Sequence, residues 1–155
     1  MSVELARVDE RLIHGQVMTA WVERFWIQRI VLVDDELAQD EFMKQVLAMS
    51  APAGVTVDVK TARAAAEELE ADGGEHLLLL FKEIRSALAL VKAGYRMKEL
   101  NIGNVGGAPG RSAITREVYV SEEEKAMLRE LQAAQVEVYI QKLPQDSRVT
   151  LFDKL

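Results

Sequence analysis

Near its amino terminus the chain reads RVDERLIHGQV from Arg7 to Val17, which gathers Arg7, Asp9, Arg11 and Gln16 around one imidazole, His14. A neutral imidazole is a competent nucleophile toward phosphorus, because a free histidine titrates close to physiological pH. The phosphoimidazole it would form needs positive surroundings. Arg11 offers a permanently charged planar fork that matches phosphate oxygens, and free N–H groups at the start of a following helix would add oriented dipoles. Gly15 lets that backbone come close to a phosphate, with Gln16 beside it. Asp9 can accept from an imidazole N–H or hold Arg11 in place, leaving the other ring nitrogen free to react. Arg7 is the most weakly supported member of the set. These residues leave a second reading of His14 open, as a surface or capping residue without chemistry.

The elements that must position this segment form a regular alternation. A strand is expected at Val3 to Val8, a polar stretch from Asp9 to His14, and a helix near Gly15 to Phe25 with Met18, Trp21, Val22 and Phe25 toward one side. His14 therefore falls at a strand-to-helix turn. Further strands are expected at Arg29 to Val33, Val55 to Val59, Leu77 to Phe81, Glu99 to Ile102 and Val136 to Ile140, with a short edge element at Val118 to Val120. Leu77 to Phe81 is the expected centre of the sheet. Helices are expected at Leu37 to Met49, capped by Asp34 and Asp35, at Ala62 to Ala71, capped by Thr61 and stopped by Gly73-Gly74, at Ile84 to Ala93, and at Glu122 to Ala134, capped by Ser121. This alternation predicts an α/β fold with a doubly wound, mostly parallel sheet and helices on both faces, in a single domain over residues 1–155. In such sheets ligands bind where the carboxyl ends of strands meet helix N-termini, and the His14 loop is at such a place.

Composition narrows the functions. The net charge of −6 argues against general binding to nucleic acid. No cysteine is present, so disulfides, thiol nucleophiles and cysteine-based zinc sites are excluded. The start MSVELARVDER carries charge and no apolar core of a secretory signal, and no run approaches the length of a membrane helix, so a cytoplasmic protein is expected. The other histidine, His76, begins a different strand and reads as structural, and no metal site is expected. A nucleophile elbow G-x-S-x-G is absent. The loop GNVGGAPGRS echoes a Walker A motif, but Val105 stands where its first glycine would be and Arg111 where its lysine would be. Asp34 and Asp35 suggest the acidic pair of a receiver module, yet they follow the second strand rather than the first and read as helix caps. One of the two tryptophans, Trp21 or Trp26, marks a docking surface if exposed, although packing is the commoner fate.

The segment RVDERLIHGQV closely resembles the active-site segment of IIB components of the mannose/sorbose family of the bacterial phosphoenolpyruvate-dependent sugar phosphotransferase system. The likeness extends to VLVDDELAQDEFMKQVLAMSAPAGV, ELNIGNVGGAPG and VEVYIQKLPQD, and Asp9-Glu10 stands where the family more often has two aspartates. The resemblance implies that His14 is the phosphoacceptor and Arg11 a phosphate-site residue, with Asp9 and Gln16 in the matched segment. It implies a phosphodonor IIA domain, membrane IIC and IID subunits with which the protein associates peripherally, and a sugar acceptor. No metal, nucleotide or other cofactor is implied. A regulatory phosphohistidine protein without transport is the alternative that keeps the same chemistry.

Overall fold

The computed structural model describes residues 2–71 and 74–155. Nine strands are described, β1 (Ser2–Asp9), β2 (Arg29–Val33), β3 (Thr56–Lys60), β4 (His76–Phe81), β5 (Glu99–Asn104), β6 (Ser112–Ala113), β7 (Tyr119–Val120), β8 (Glu137–Ile140) and β9 (Val149–Thr150), with five α-helices, α1 (Gly15–Phe25), α2 (Glu41–Met49), α3 (Ala62–Leu69), α4 (Ile84–Lys92) and α5 (Glu122–Ala133). Seven strands form one sheet in the order β3-β2-β4-β1-β5-β8-β9, parallel throughout except for β9. The α/β expectation is met.

Alternation along the buried strands builds two cores. Leu78 and Leu80 of β4 join Met18 and Trp21 of α1 and Leu47 of α2 on one face. Leu79 and Phe81 join Ala62, Ala65 and Ala66 of α3, Ile84 and Leu88 of α4 and Leu128 and Leu131 of α5 on the other. Period-two side chains on a parallel sheet require a cover on each side, which is why Leu77 to Phe81 can be a continuous apolar run with no exposed member. β4 is nevertheless one place off centre, and β1 takes the middle of the sheet.

Winding direction locates the crevice. From β1 the chain crosses over α1 to β2 and β3; from β4 it crosses over α4, on the opposite face, to β5 and β8. The adjacent carboxyl ends of β1 and β4 thus send their connections to opposite faces, the switch point at which open α/β sheets leave room for a ligand.

Several boundaries differ from expectation for identifiable reasons. A single helix from Leu37 does not form: a 3-10 turn at Leu37–Gln39 ends at Asp40, whose carboxylate accepts from Met43 N and caps α2. Asp34 instead accepts from Glu36 N and Leu37 N, and Asp35 reaches across to Ala62 N at the start of α3. Thr61 and Ser121 cap α3 and α5 as expected, the latter in a full capping box with Glu124. The expected stop at Gly73-Gly74 falls partly outside the described residues, since Gly73 is not described. Tyr119 and Val120 pair with β6 in a separate ribbon rather than edging the main sheet.

On the β2–β3 side, Arg29 bonds Glu68 and Asp58, and Lys60 lies 2.7 Å from Glu68. The hydrogen bond from Arg29 holds the Glu68 carboxyl below its ordinary range, with Lys60 adding to the effect. A carboxylate depressed on folding stabilises above its unfolded pKa and loses that contribution as pH falls through the folded value. Glu68→Gln should cost roughly 1 kcal/mol or less near neutrality, and the difference should vanish below the folded pKa, as read by urea unfolding across the acid range. A constant difference at all pH values would assign the cost to packing.

Candidate functional site

The β1–α1 connection is anchored from below by its apolar residues. Leu12 is buried in the α1-side core and Ile13 packs on it, so the residues that flank the pair, Arg11 and His14, are held at the surface of the crevice. Leu12 has φ +60, an uncommon conformation for a branched side chain, stabilised by its burial and by the turn bond from Leu12 N to Asp9 O at 2.9 Å. That turn aims the Leu12 carbonyl at His14, whose Nδ1 lies 3.0 Å from it.

His14 is the N-cap of α1 with extended backbone and no side-chain capping bond. No acidic side chain occupies the first turn, and Gly15 (φ +41) and Gln16 are exposed. The opening N–H groups of α1 therefore face the crevice without a carboxylate over them, a standard anion-binding arrangement. Nothing lies within 4 Å of a Cβ built on Gly15, so its need is conformational rather than steric.

Asp9, fully buried at the end of β1, organises the rest. Its Oδ1 accepts from Arg11 N at 3.0 Å and Arg11 Nε at 3.3 Å; its Oδ2 accepts from Arg7 Nη2 at 3.2 Å and Arg11 Nη2 at 3.4 Å and sits 3.9 Å from His14 Nε2. Of the two partners open to Asp9, Arg11 is bonded and His14 Nε2 lies beyond hydrogen-bond distance. His14 Nε2 is buried without a hydrogen-bond partner, whereas the side chain as a whole is 24% exposed. Arg11 keeps 41% of its side chain in solvent.

Arg7 is placed differently from a phosphate ligand. It is fully buried, with its guanidinium bonded to Asn101 Oδ1, to Gln141 O at 2.9 Å and to Asp9, and lying 5.4 Å from the centre of the Trp21 ring. Burial pulls this guanidinium below its ordinary range and the adjacent Asp9 carboxylate pushes it back. Asn101 also donates to Gln141 O at 3.1 Å, and Trp21 Nε1 donates to Lys142 O at 3.0 Å, tying the end of β8 to the same cluster. Asn101, Gln141 and Trp21 were not among the residues expected at the site. Their signal was indirect: Arg7 stands between Ala6 and Val8 and Asn101 between Leu100 and Ile102, and polar strand positions flanked in this way require partners when buried.

The loop from Gly103 to Gly110 does neighbour the site. A Cβ at Gly103 would lie 2.1 Å from Arg7 Nη2, and one at Gly106 would lie 2.3 Å from Glu10 Oε1. Arg111 closes the loop by donating from Nη1 to Gly106 O and from Nε and Nη2 to the two carboxylate oxygens of Glu124. Its arginine is thus committed to helix α5 rather than to a nucleotide. Gly103→Ala should destabilise the protein by about 1–3 kcal/mol through overpacking, and the cost should shrink in an Arg7→Met background. Urea unfolding of the two single variants and the double variant measures this coupling, and additivity would show that Arg7 is not what the methyl meets.

Other expected sites carry no such cluster. Among the described residues no group of three or more histidine, aspartate or glutamate side chains could hold a metal. Asp34 and Asp35 are caps, which removes the receiver reading. His76 starts β4 at the opposite end of the sheet, with Nδ1 3.2 Å from Glu4 Oε1. Trp21 is packed; Trp26, at the far end of α1 from His14, is 80% exposed.

A family model described as the sorbose subfamily IIB component of the phosphotransferase system (PTS) matches residues 3–155. The chain belongs to that family. This IIB component is 31% identical to the fructose-specific EIIB component of Bacillus subtilis (strain 168), with 95% of this chain and 91% of that protein covered. It is 34% identical to the mannose-specific EIIAB component of Escherichia coli (strain K12), covering 99% of this chain and 48% of that protein, so the chain spans about half the length of that relative. Its fold matches the crystal structure of the IIBSor domain of the sorbose permease from Klebsiella pneumoniae with a TM-score of 0.92, at 31% identity over 99% of this chain and 96% of that one. The family resemblance and the doubly wound fold expected from the sequence are both borne out. The protein is a PTS IIB component of the sorbose/fructose/mannose class, and no described helix is long and apolar enough to cross a membrane.

Proposed function

We propose that this IIB component, acting as one domain, is a phosphocarrier: His14 accepts a phosphoryl group from a phosphohistidine of a IIA domain and passes it to a sugar of the mannose, fructose or sorbose class entering through membrane IIC and IID subunits. The observation that carries this reading is the placement of His14 at the N-terminus of α1, at the switch point of the sheet, beside an arginine held by a buried carboxylate.

The chemistry follows from the geometry. A ring nitrogen of His14 attacks phosphorus as the bond from phosphorus to the donor imidazole breaks. The charge on the transferring group meets Arg11 and the N–H groups at Gly15 and Gln16. A sugar hydroxyl oxygen then attacks phosphorus, the phosphorus–nitrogen bond to His14 breaks, and the hydroxyl proton ends on the released imidazole. Because Nε2 is buried toward Asp9, the nitrogen assigned to phosphorus is Nδ1. Its contact with Leu12 O belongs to the resting tautomer, in which Nδ1 donates; attack requires the proton on Nε2, facing Asp9, and that contact opened, so that the Nδ1 lone pair is free. No metal or cofactor enters these steps. In the cell the protein would work on the cytoplasmic side, peripherally associated with the transporter.

Incubating the protein with phosphoenolpyruvate, the general phosphocarrier enzymes and a IIA domain should place one acid-labile, base-stable label on it, mapped by mass spectrometry to His14. Label found on another residue would overturn the assignment.

A further inference from the structure

Arg7 is a complete cation inside the molecule, directly beneath the reacting residues but shielded from any phosphate. Its two terminal nitrogens serve different neighbours. Nη1 is fixed by Asn101 Oδ1 on β5 and by Gln141 O at the end of β8, and Nη2 donates to Asp9 Oδ2. Asn101 is locked in turn by its own bond to Gln141 O. Trp21 covers the guanidinium from α1, and the missing side chain of Gly103 leaves the space it fills. Three strands and a helix thus converge on one guanidinium whose only carboxylate contact among the described residues is Asp9.

We propose that Arg7 is a positioning residue for phosphoryl transfer, and that it acts through Asp9; this rests on the phosphocarrier reading of His14. Arg7 has two effects on that carboxylate. It supplies this fully buried carboxylate with a countercharge, Arg7 Nη2 lying 3.2 Å from Asp9 Oδ2. It also fixes the Oδ2 edge, so that Oδ1 is presented to the backbone and Nε of Arg11 and the carboxylate faces His14. Charge follows the same logic: with Arg7 neutralising Asp9, the charge of Arg11 remains available to an incoming phosphoryl group. Without Arg7, Asp9 would draw on Arg11 alone for its countercharge.

A role in packing and a role in positioning predict opposite orders for two substitutions. Methionine fills much of the same volume without charge; lysine keeps the charge but loses the planar fork that reaches Asn101 and Asp9 together. In the labelling assay with phospho-IIA as donor, Arg7→Met should lower the rate constant of transfer roughly 10- to 100-fold, the range seen when an outer partner orienting a reacting group is lost. The KM for phospho-IIA should stay within about 2-fold of wild type, because Arg7 reaches no surface. Arg7→Lys should recover part of the loss. Should Arg7→Met fail to fold, Arg7→Lys and Asn101→Leu carry the test, each with a several-fold slower transfer at unchanged KM. A folded Arg7→Met protein that transfers as fast as wild type, or faster than Arg7→Lys, overturns the positioning role. Wild-type rates in both Arg7→Lys and Asn101→Leu do the same. A wild type that takes no label on His14 overturns the carrier reading and this role together, so the two failures are told apart by the wild-type lane.

Discussion

His14→Ala should take up no label above background from phosphoenolpyruvate, the general phosphocarrier enzymes and a IIA domain, under conditions in which the wild type is labelled. The reason is the scarcity of alternatives as much as the quality of the site. Histidine occurs twice in the chain and cysteine not at all. His76 lies at the other end of the sheet with a carboxylate oxygen, Glu4 Oε1, 3.2 Å from its Nδ1, where a phosphoryl group would meet negative charge and no helix N-terminus. The variant should also be well folded. His14 makes one side-chain contact of note, Nδ1 to Leu12 O, and contributes no capping bond to α1. Replacement at a part-exposed position of that kind changes stability by about 0.5 kcal/mol or less, so thermal melting should superimpose on wild type. Label persisting in a folded His14→Ala protein would remove the phosphocarrier assignment altogether.

How far the sequence reached can be judged at individual residues. Strand and helix order were legible because the sheet is wound from local units, each with its own period and caps, such as Ser121 with Glu124 and Thr61 with Ala64 N. The segment 34–40 was not, because Asp34, Asp35 and Asp40 are three competent caps within seven residues and only the tertiary fold sends Asp35 to Ala62. At the candidate site, the residues contiguous with His14 are the ones that a local reading can name. The bond between Asp9 and Arg11 is a contact over two residues, which local reading can anticipate. The role of Arg7 was not legible: beyond Asp9 its partners lie 94 and 134 residues away, on strands whose neighbourhood is fixed only when the sheet closes. The same holds for Gly103, whose glycine requirement comes from the Arg7 guanidinium and not from a turn.

Arg11→Ala should slow transfer to His14 by about 10²- to 10³-fold, the typical cost of losing one donor aimed at charge that develops in the transition state. The geometry favours a mobile donor rather than a structural one. Arg11 is 41% exposed, and its side-chain bonds to Asp9 are long, 3.3 and 3.4 Å, so they hold the guanidinium over the crevice without consuming it. A guanidinium has five N–H donors; with Nε and one Nη2 hydrogen on Asp9, three remain for phosphate oxygens. The fold should tolerate the loss, because Asp9 keeps Arg7 and still accepts from the backbone N–H of residue 11. Arg11→Lys should recover the charge but not the fork, giving a rate between the two. The effect should fall on the rate and leave the acid lability of the label unchanged, since the bond formed is the same phosphorus–nitrogen bond. Transfer by Arg11→Ala at the wild-type rate would mean that the N–H groups at the start of α1 stabilise the phosphoryl group unaided, and would end any role for this arginine in the reaction.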